Sequence, residues 1–296
     1  MKNLSLLILI ALWAGFNSTT MKAQKTLHIV SKEVKKKLSC NAGSGISVDA
    51  EKSNIEIKGW DKNYVDLKME LISKHPKKEV AEQEVNYLKY DISEERGHHS
   101  IRNYFQNDDG FSTVKGSLSV KYFLKVPYSC PVDIIQSYGS LSVQDLDSDF
   151  QGNLKFVSGK IKNLSRNVTL DTKFGGVECI DIGGVFKAKL RKTNLTLSRL
   201  NGQVDIESRY GRIDIEDTNM DMLSLNGDKT KVSLFSNQPE KFNYHLSTTF
   251  ADIKVPDSFG DVWEGKDSVH YKNINPANNA LIRINTSYQP ISIQVK

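Results

Sequence analysis

The stretch "SRYGRIDIED", residues 208–217, places Asp214 and Glu216 on alternate positions behind Arg212, with Glu207 just upstream. Carboxylates beside an arginine are the equipment of polysaccharide lyases and hydrolases. A glycosidase needs two carboxyls about 5 to 9 Å apart in a cleft, one with a raised pKa. His98-His99, in a polar segment flanked by acids, could seed a metal site, although two adjacent histidines on irregular backbone more often face solvent. His28, His75, His245 and His270 show no ligand spacing such as HExxH. Cys40, Cys130 and Cys179 are widely spaced and form no CxxC pair. The odd count leaves at least one thiol free, and buried structural thiols are expected, Cys179 above all. There is no P-loop, no GxSxG elbow and no calcium-binding nonapeptide repeat, so neither a cofactor nor a metal is expected. The N-x-[ST] matches at Asn163, Asn167, Asn194 and Asn285 are a common chance motif.

The elements that position these residues begin after a segment to be set aside. Residues 1–24 carry Lys2, an apolar run from Leu4 to Phe16 and a polar stretch ending in Ala23-Gln24, the build of a cleaved export signal. The run falls short of the roughly 20 apolar residues of a spanning helix, and no later run approaches it. A lipoprotein signal would place a cysteine directly after the run, whereas the first is Cys40. The expectation is an exported chain, periplasmic or on the cell surface, with no transmembrane segment after cleavage. The formal charge of +5 falls by two without Lys2 and Lys22, which gives no reason to expect nucleic acid. The only dense basic run, "SKEVKKKLSC", begins at Ser31, and residues 25–38 are read as a solvated basic arm.

Beyond the arm the chain repeats. Val143, Ile161, Cys179, Leu197, Ile215, Leu234 and Ile253 step by 18 and then 19 residues. Parallel tracks hold Leu141, Gly159, Val177, Leu195, Ile213, Val232 and Ala251, and Val168, Phe186, Val204, Leu223 and Phe242. Leu146, Leu164, Ile182 and Leu200 suggest a shorter third side, and Gly139, Gly175 and Gly211 mark a turn where a positive φ is expected. A unit this short cannot bury its own apolar side. Stacking equivalent strands in parallel, about 4.8 Å apart, lets alternate side chains fill one continuous interior. The fold class expected is all-β: a single parallel β-helix or β-solenoid over 39–296 with turns of about 18 residues. A left-handed triangular helix needs an aliphatic residue every six positions, and Arg209 and Asp221 around Ile215 break that rule. Two insertions interrupt the repeat. Residues 76–112 hold a short amphipathic helix followed by a polar loop, and residues 256–279 form a second loop. The stretch from Phe150 to Gly159 reads as an irregular turn.

The segment "VKYFLKVPYSCPVDIIQSYGSLSVQDLDSDFQGNLKF", units such as "VDIESRYGRIDIED", and the closing "IRINTSYQPISIQV" resemble a bacterial domain-of-unknown-function family labelled "putative adhesin". The resemblance covers most of residues 39–296 and is a repeat grammar rather than a catalytic motif. It implies an exported or membrane-tethered adhesin-like β-solenoid and carries over no functional residue.

With Ile213 and Ile215 inward, strand alternation sends Arg212, Asp214 and Glu216 outward. Stacking aligns Asp171, Lys189 and Glu207, one per turn, as a solvated ladder whose alternating signs favour stability. The expected function is a non-enzymatic binding or scaffolding module at the cell envelope. A periplasmic accessory of envelope signalling is the alternative, and a polysaccharide lyase or hydrolase on a β-helix a third reading. The partner would be an envelope protein or glycan. The aromatic loops around Tyr104, Phe105 and Phe111, and around Trp263 and Tyr271, are contact candidates, or else they cap the core at the ends. Ile135, Ile180 and Phe235 are further apolar residues expected to face outward.

Overall fold

The computed structural model describes residues 26–40, 43–106, 113–217 and 219–295. The expected export signal, residues 1–24, and Phe111 lie outside the described residues. Among the described residues no helix is long and apolar enough to cross a membrane.

The repeat region folds as its tracks require. Strands β7 (Val132–Leu146), β8 (Phe150–Leu164), β9 (Val168–Ile182), β10 (Val185–Glu216) and β11 (Asn219–Ser236) pair in parallel. Their register repeats the sequence period: Val143 faces Ile161, Ile161 faces Cys179 and Cys179 faces Leu197, while Ile215 faces Leu234. Every one of these side chains is buried, as are Leu146, Leu164, Ile182 and Leu200. Like residues stack on like because an inward position stays inward when parallel strands shift by a whole repeat. Cys40, Cys130 and Cys179 are buried free thiols, and burial pushes those of Cys130 and Cys179 far above the ordinary thiol range.

The corner of each turn is a residue in the left-handed region: Tyr138, Phe156, Phe174 and Tyr210, with φ between 57° and 64°, and Lys192 and Lys229, at 50°. Where glycine follows, at Gly175 and Gly211, it serves another purpose than the one its residue type suggested. Gly175 and Gly211 have no positive φ, yet a Cβ on them would stand 2.1 Å from the Val157 carbonyl oxygen and 2.2 Å from that of Thr193. These glycines permit close backbone contact between successive turns at the corner. Gly139 requires both freedoms, with φ +133° and a Cβ position 1.8 Å from the Ser53 oxygen.

The sheet is all-β but mixed, which corrects the expectation of a single parallel β-helix. At the start of the chain, β1 (His28–Ser39) and β6 (Ser117–Pro127) each run antiparallel to β3 (Tyr64–His75), and β2 (Gly45–Trp60) links β6 to β7 in parallel. The run read as a solvated basic arm is therefore an edge strand. Val30, Val34 and Leu38 pack against the core, and the intervening lysines face water, where they discourage a further strand from adding. The helix in the first insertion is α1 (Lys78–Glu84), and the buried carboxylate of Glu84 accepts the Lys115 and Gly116 amides at 2.7 and 2.8 Å. The expected polar loop after it is instead a hairpin, β4 (Leu88–Glu95) with β5 (His98–Phe105), antiparallel. Phe150 to Gly159 is regular, in step with both neighbours. Phe150 and Leu170 fill the room left by Gly152.

The end of the chain departs furthest from the period. Strands β12 (Phe242–Thr249) and β13 (Ile253–Lys254) do not lie on β11. The C-terminal strands β16 (Ala280–Ser287) and β17 (Ile291–Val295) are inserted between them. Leu223 faces Ile282, which faces Tyr244, and Val232 faces Ile291, which faces Ile253. The last step of the first track, Leu234 to Ile253, is thus a coincidence of spacing. The second insertion contributes β14 (Trp263–Glu264) and β15 (Ser268–Asn273), the latter antiparallel to β12.

Candidate binding surface

Fixed register turns a repeat position into a line of side chains across the strands. The positive-φ corner forms one such line. Tyr138 stacks on Phe156 with ring centroids 5.0 Å apart and planes within 3°, and Phe156 stacks on Phe174 at 4.7 Å and 8°. Lys192 then lies over Phe174 at 5.4 Å, and Lys229 lies over both Tyr210 and Tyr288, at 5.3 and 5.4 Å. Tyr288 stacks on Phe250 at 5.2 Å. At the other end, Lys52 occupies the corner of β2 and lies over Phe105 at 5.0 Å. Most of these rings are 41–59% exposed. Phe156 is stacked between two rings, Phe174 between Phe156 and Lys192, and Tyr288 between Phe250 and Lys229, so these rings offer mainly their edges to solvent.

Stacked pairs of this kind are worth about 0.5–1.5 kcal/mol each beyond burial. Phe156→Ala removes two of them, and a urea titration should show a loss of about 1–3 kcal/mol, large for so exposed a side chain. A change of only a few tenths would mean that the column contributes nothing to stability.

A second line runs beside the first. Lys155 faces Lys173 and Lys173 faces Arg191; Arg209 follows on the next turn of β10 and faces Asp228. All four cationic side chains are exposed. The neighbouring line contains Asp171 facing Lys189, with Glu207 next, and it alternates in sign as expected: Lys189 and Glu207 lie 4.0 Å apart. Between these lines lies an open groove of about 640 Å³, lined by Lys173, Arg191, Arg209, Asp171, Glu207 and Asn226 among others.

The acids that opened the question do not converge. Ile213 and Ile215 are fully buried, and Asp214 faces outward, where the Arg212 Nε donates to its two oxygens at 2.9 and 2.6 Å. Glu207 stands on the arm before the corner, paired with Lys189, so the two carboxylates belong to different faces. Ion pairs of this exposure contribute at most about 1 kcal/mol.

His98 and His99 are divided by strand alternation. His98 is exposed and meets the Ser47 hydroxyl at 2.6 Å, whereas His99 is buried with Nε2 2.5 Å from the Ser39 carbonyl oxygen. His99 is thus an interior group, contrary to the expectation of a solvent-exposed pair. Among the described residues no three His, Cys, Asp or Glu side chains are placed to hold a metal ion.

The aromatic candidates separate in the same way. Tyr104 is half-buried beneath Arg102, 5.8 Å from its ring, and Phe105 begins the corner column through Lys52. Trp263 is 64% exposed beside His270, whereas Tyr271 on the facing strand is buried. The Tyr271 hydroxyl donates to the Phe259 carbonyl at 3.1 Å, and its ring packs on Tyr244 and Phe259. Tyr271 therefore caps the core. Ile135 is 54% exposed, and Ile180 and Phe235 face outward as expected. Reading only the apolar tracks passed over the corner line and the cationic line, although Lys155, Lys173, Arg191 and Arg209 keep the same 18-residue step.

No family model and no curated protein matches the chain. Among solved structures, a "putative cell adhesion protein" from Clostridium sporogenes aligns with 90% of this chain and 100% of its own, at 10% identity and a TM-score of 0.28. A "putative lipid binding protein" from Parabacteroides distasonis covers 90% and 96% at 12% identity, with a TM-score of 0.37. A "putative adhesin" from Parabacteroides merdae covers 90% and 95% at 10% identity, with a TM-score of 0.31.

Proposed function

We propose that the chain is an exported, non-enzymatic β-solenoid that acts as an adhesin-like binding or scaffolding module of the bacterial envelope, in the periplasm or at the cell surface. The observation that carries this reading is the long lateral face, on which exposed aromatic and cationic lines run side by side across successive strands. Such a face suits an extended partner, an envelope protein or a glycan, laid across many strands. Tyr104, Phe105 and Trp263 are its aromatic contact residues at the two ends of the strand stack. Catalysis by the 208–217 acids is disfavoured by their geometry: Asp214 is held by Arg212, and the nearest upstream acid is on another face.

The test is capture from solubilised envelope and from a polysaccharide array, run beside an assay for newly formed chain ends. Capture without depolymerisation, equal in the wild type and in Asp214→Asn, is the expected result. Depolymerisation of any array sugar that Asp214→Asn abolishes would return these acids to an active site and overturn the reading.

A further inference from the structure

We propose that the line Lys155, Lys173, Arg191 and Arg209, together with the groove beside it, binds a linear acidic polysaccharide laid across the strands. This rests on the binding-module reading and adds to it the chemistry of the ligand.

The line is costly on electrostatic grounds. Parallel strands stand about 4.8 Å apart, and like charges directly opposite each other on neighbouring strands destabilise the pairing. The adjacent line alternates as Asp171, Lys189, Glu207, so the repeat readily accommodates compensation one column away. In the cationic line it is absent over three strands. Among the described residues, no carboxylate lies within ion-pair distance of Lys155, Lys173 or Arg191, and only Arg209 has one, Asp228 at 3.5 Å. Lys192, at the next position along β10, is committed to the face of Phe174 and adds a further positive charge.

Regular spacing along one line selects the form of the ligand. A small anion would meet one or two of these cations, whereas a linear polymer with a negative charge on each unit can meet all of them. The other lining groups select its class. Asp171, Glu207 and Asp228 border the groove, with Asn226 and Asn285, whose side chains are hydrogen-bonded at 3.1 Å. Carboxylates there need donors, which sugar hydroxyls supply and a phosphodiester backbone lacks. A nucleic acid would further require open aromatic faces for its bases, whereas Phe156 is stacked on both faces and Phe174 lies between Phe156 and Lys192.

The probes are polygalacturonate, with a carboxylate on every sugar, neutral dextran, inorganic polyphosphate and single-stranded DNA. Binding to the purified protein is measured at low and at high ionic strength. Polygalacturonate should bind, dextran should not, and added salt should weaken the complex. Lys173→Glu with Arg191→Glu should reduce affinity on the order of tenfold or more. Both side chains are exposed, so the thermal transition should be kept; the pair Lys173→Gln with Arg191→Gln, which introduces no new charge, should weaken binding in the same direction. Polygalacturonate binding that is absent, or unchanged in both double variants, would overturn the site. Polyphosphate or DNA binding as tightly as polygalacturonate would overturn the ligand class. Capture of one envelope protein equally by the wild type and both variants, without polygalacturonate binding, would leave the module reading standing and this one refuted. Shortening of the polygalacturonate chains would refute the module reading itself.

Discussion

Gly139→Ala is expected to destabilise the protein by about 4 kcal/mol, a positive-φ strain added to a backbone clash. Gly139 has φ +133°, and its new Cβ would lie 1.8 Å from the Ser53 carbonyl oxygen. The collision partner is main chain of β2, which is itself held in register with β7 on both sides of the corner, at Glu51 with Ser137 and at Ser53 with Gly139. Relief therefore requires separation of two paired strands rather than a rotamer change. Gly176→Ala is the control: its Cβ would rest 3.8 Å from the Asn194 oxygen, an ordinary contact, and the effect should stay within about 0.5 kcal/mol. Urea midpoints at unchanged slope would measure both. Equal small effects at the two positions would mean that the corner yields easily and that strand contact there is not what demands glycine.

Deletion of residues 280–296 is expected to unfold the end of the sheet from β11 onward rather than trim it. Strands β16 and β17 lie between β11 on one side and β12 and β13 on the other, and they bury Ile282, Ile284, Ile291 and Ile293. Those four side chains are worth on the order of 8 kcal/mol in burial alone, comparable with the whole stability of many domains. If strands were stacked in chain order, the last pair would form the outermost layer, and its loss would fray only one neighbour. Hydrogen exchange distinguishes the two arrangements. Loss of protection throughout 242–273, with new exposure along β11, is the expected result. Retained protection in β12 would show that it can reach β11 directly.

The two expectations differ in how far the sequence foretold them. A corner near Gly139, Gly175 and Gly211 was legible, because an 18-residue step brings glycine to the same place in successive strands. Its reason was not, since a residue type cannot tell a left-handed φ from a close approach. Gly139 does have a left-handed φ, but at the other two corners the left-handed residues are the preceding Phe174 and Tyr210, and only an atom 2 Å away on the previous turn of β10 explains Gly211. His99 was misjudged for a similar reason. Its segment is polar in composition, but pairing of β5 with β4 and β2 imposes an alternation that carries one histidine of the pair inward.

The amino-acid sequence by itself determined the all-β character, the parallel register from Val132 to Ser236, the buried tracks and the outward course of Asp214. All of these follow from local alternation and the repeat period, because an uncompensated shift by one residue would expose every apolar side chain, and the one-residue shift at Gly202 and Gln203 is where the step passes from 18 to 19. Tertiary structure alone decided the mixed sheet, the conversion of the basic arm into edge strand β1, the place of β16 and β17 between β11 and β12, and the separation of Trp263 from Tyr271. Those are choices of partner between strands distant in the chain. Many pairings satisfy the same alternation, and only the simultaneous burial of all the faces selects one.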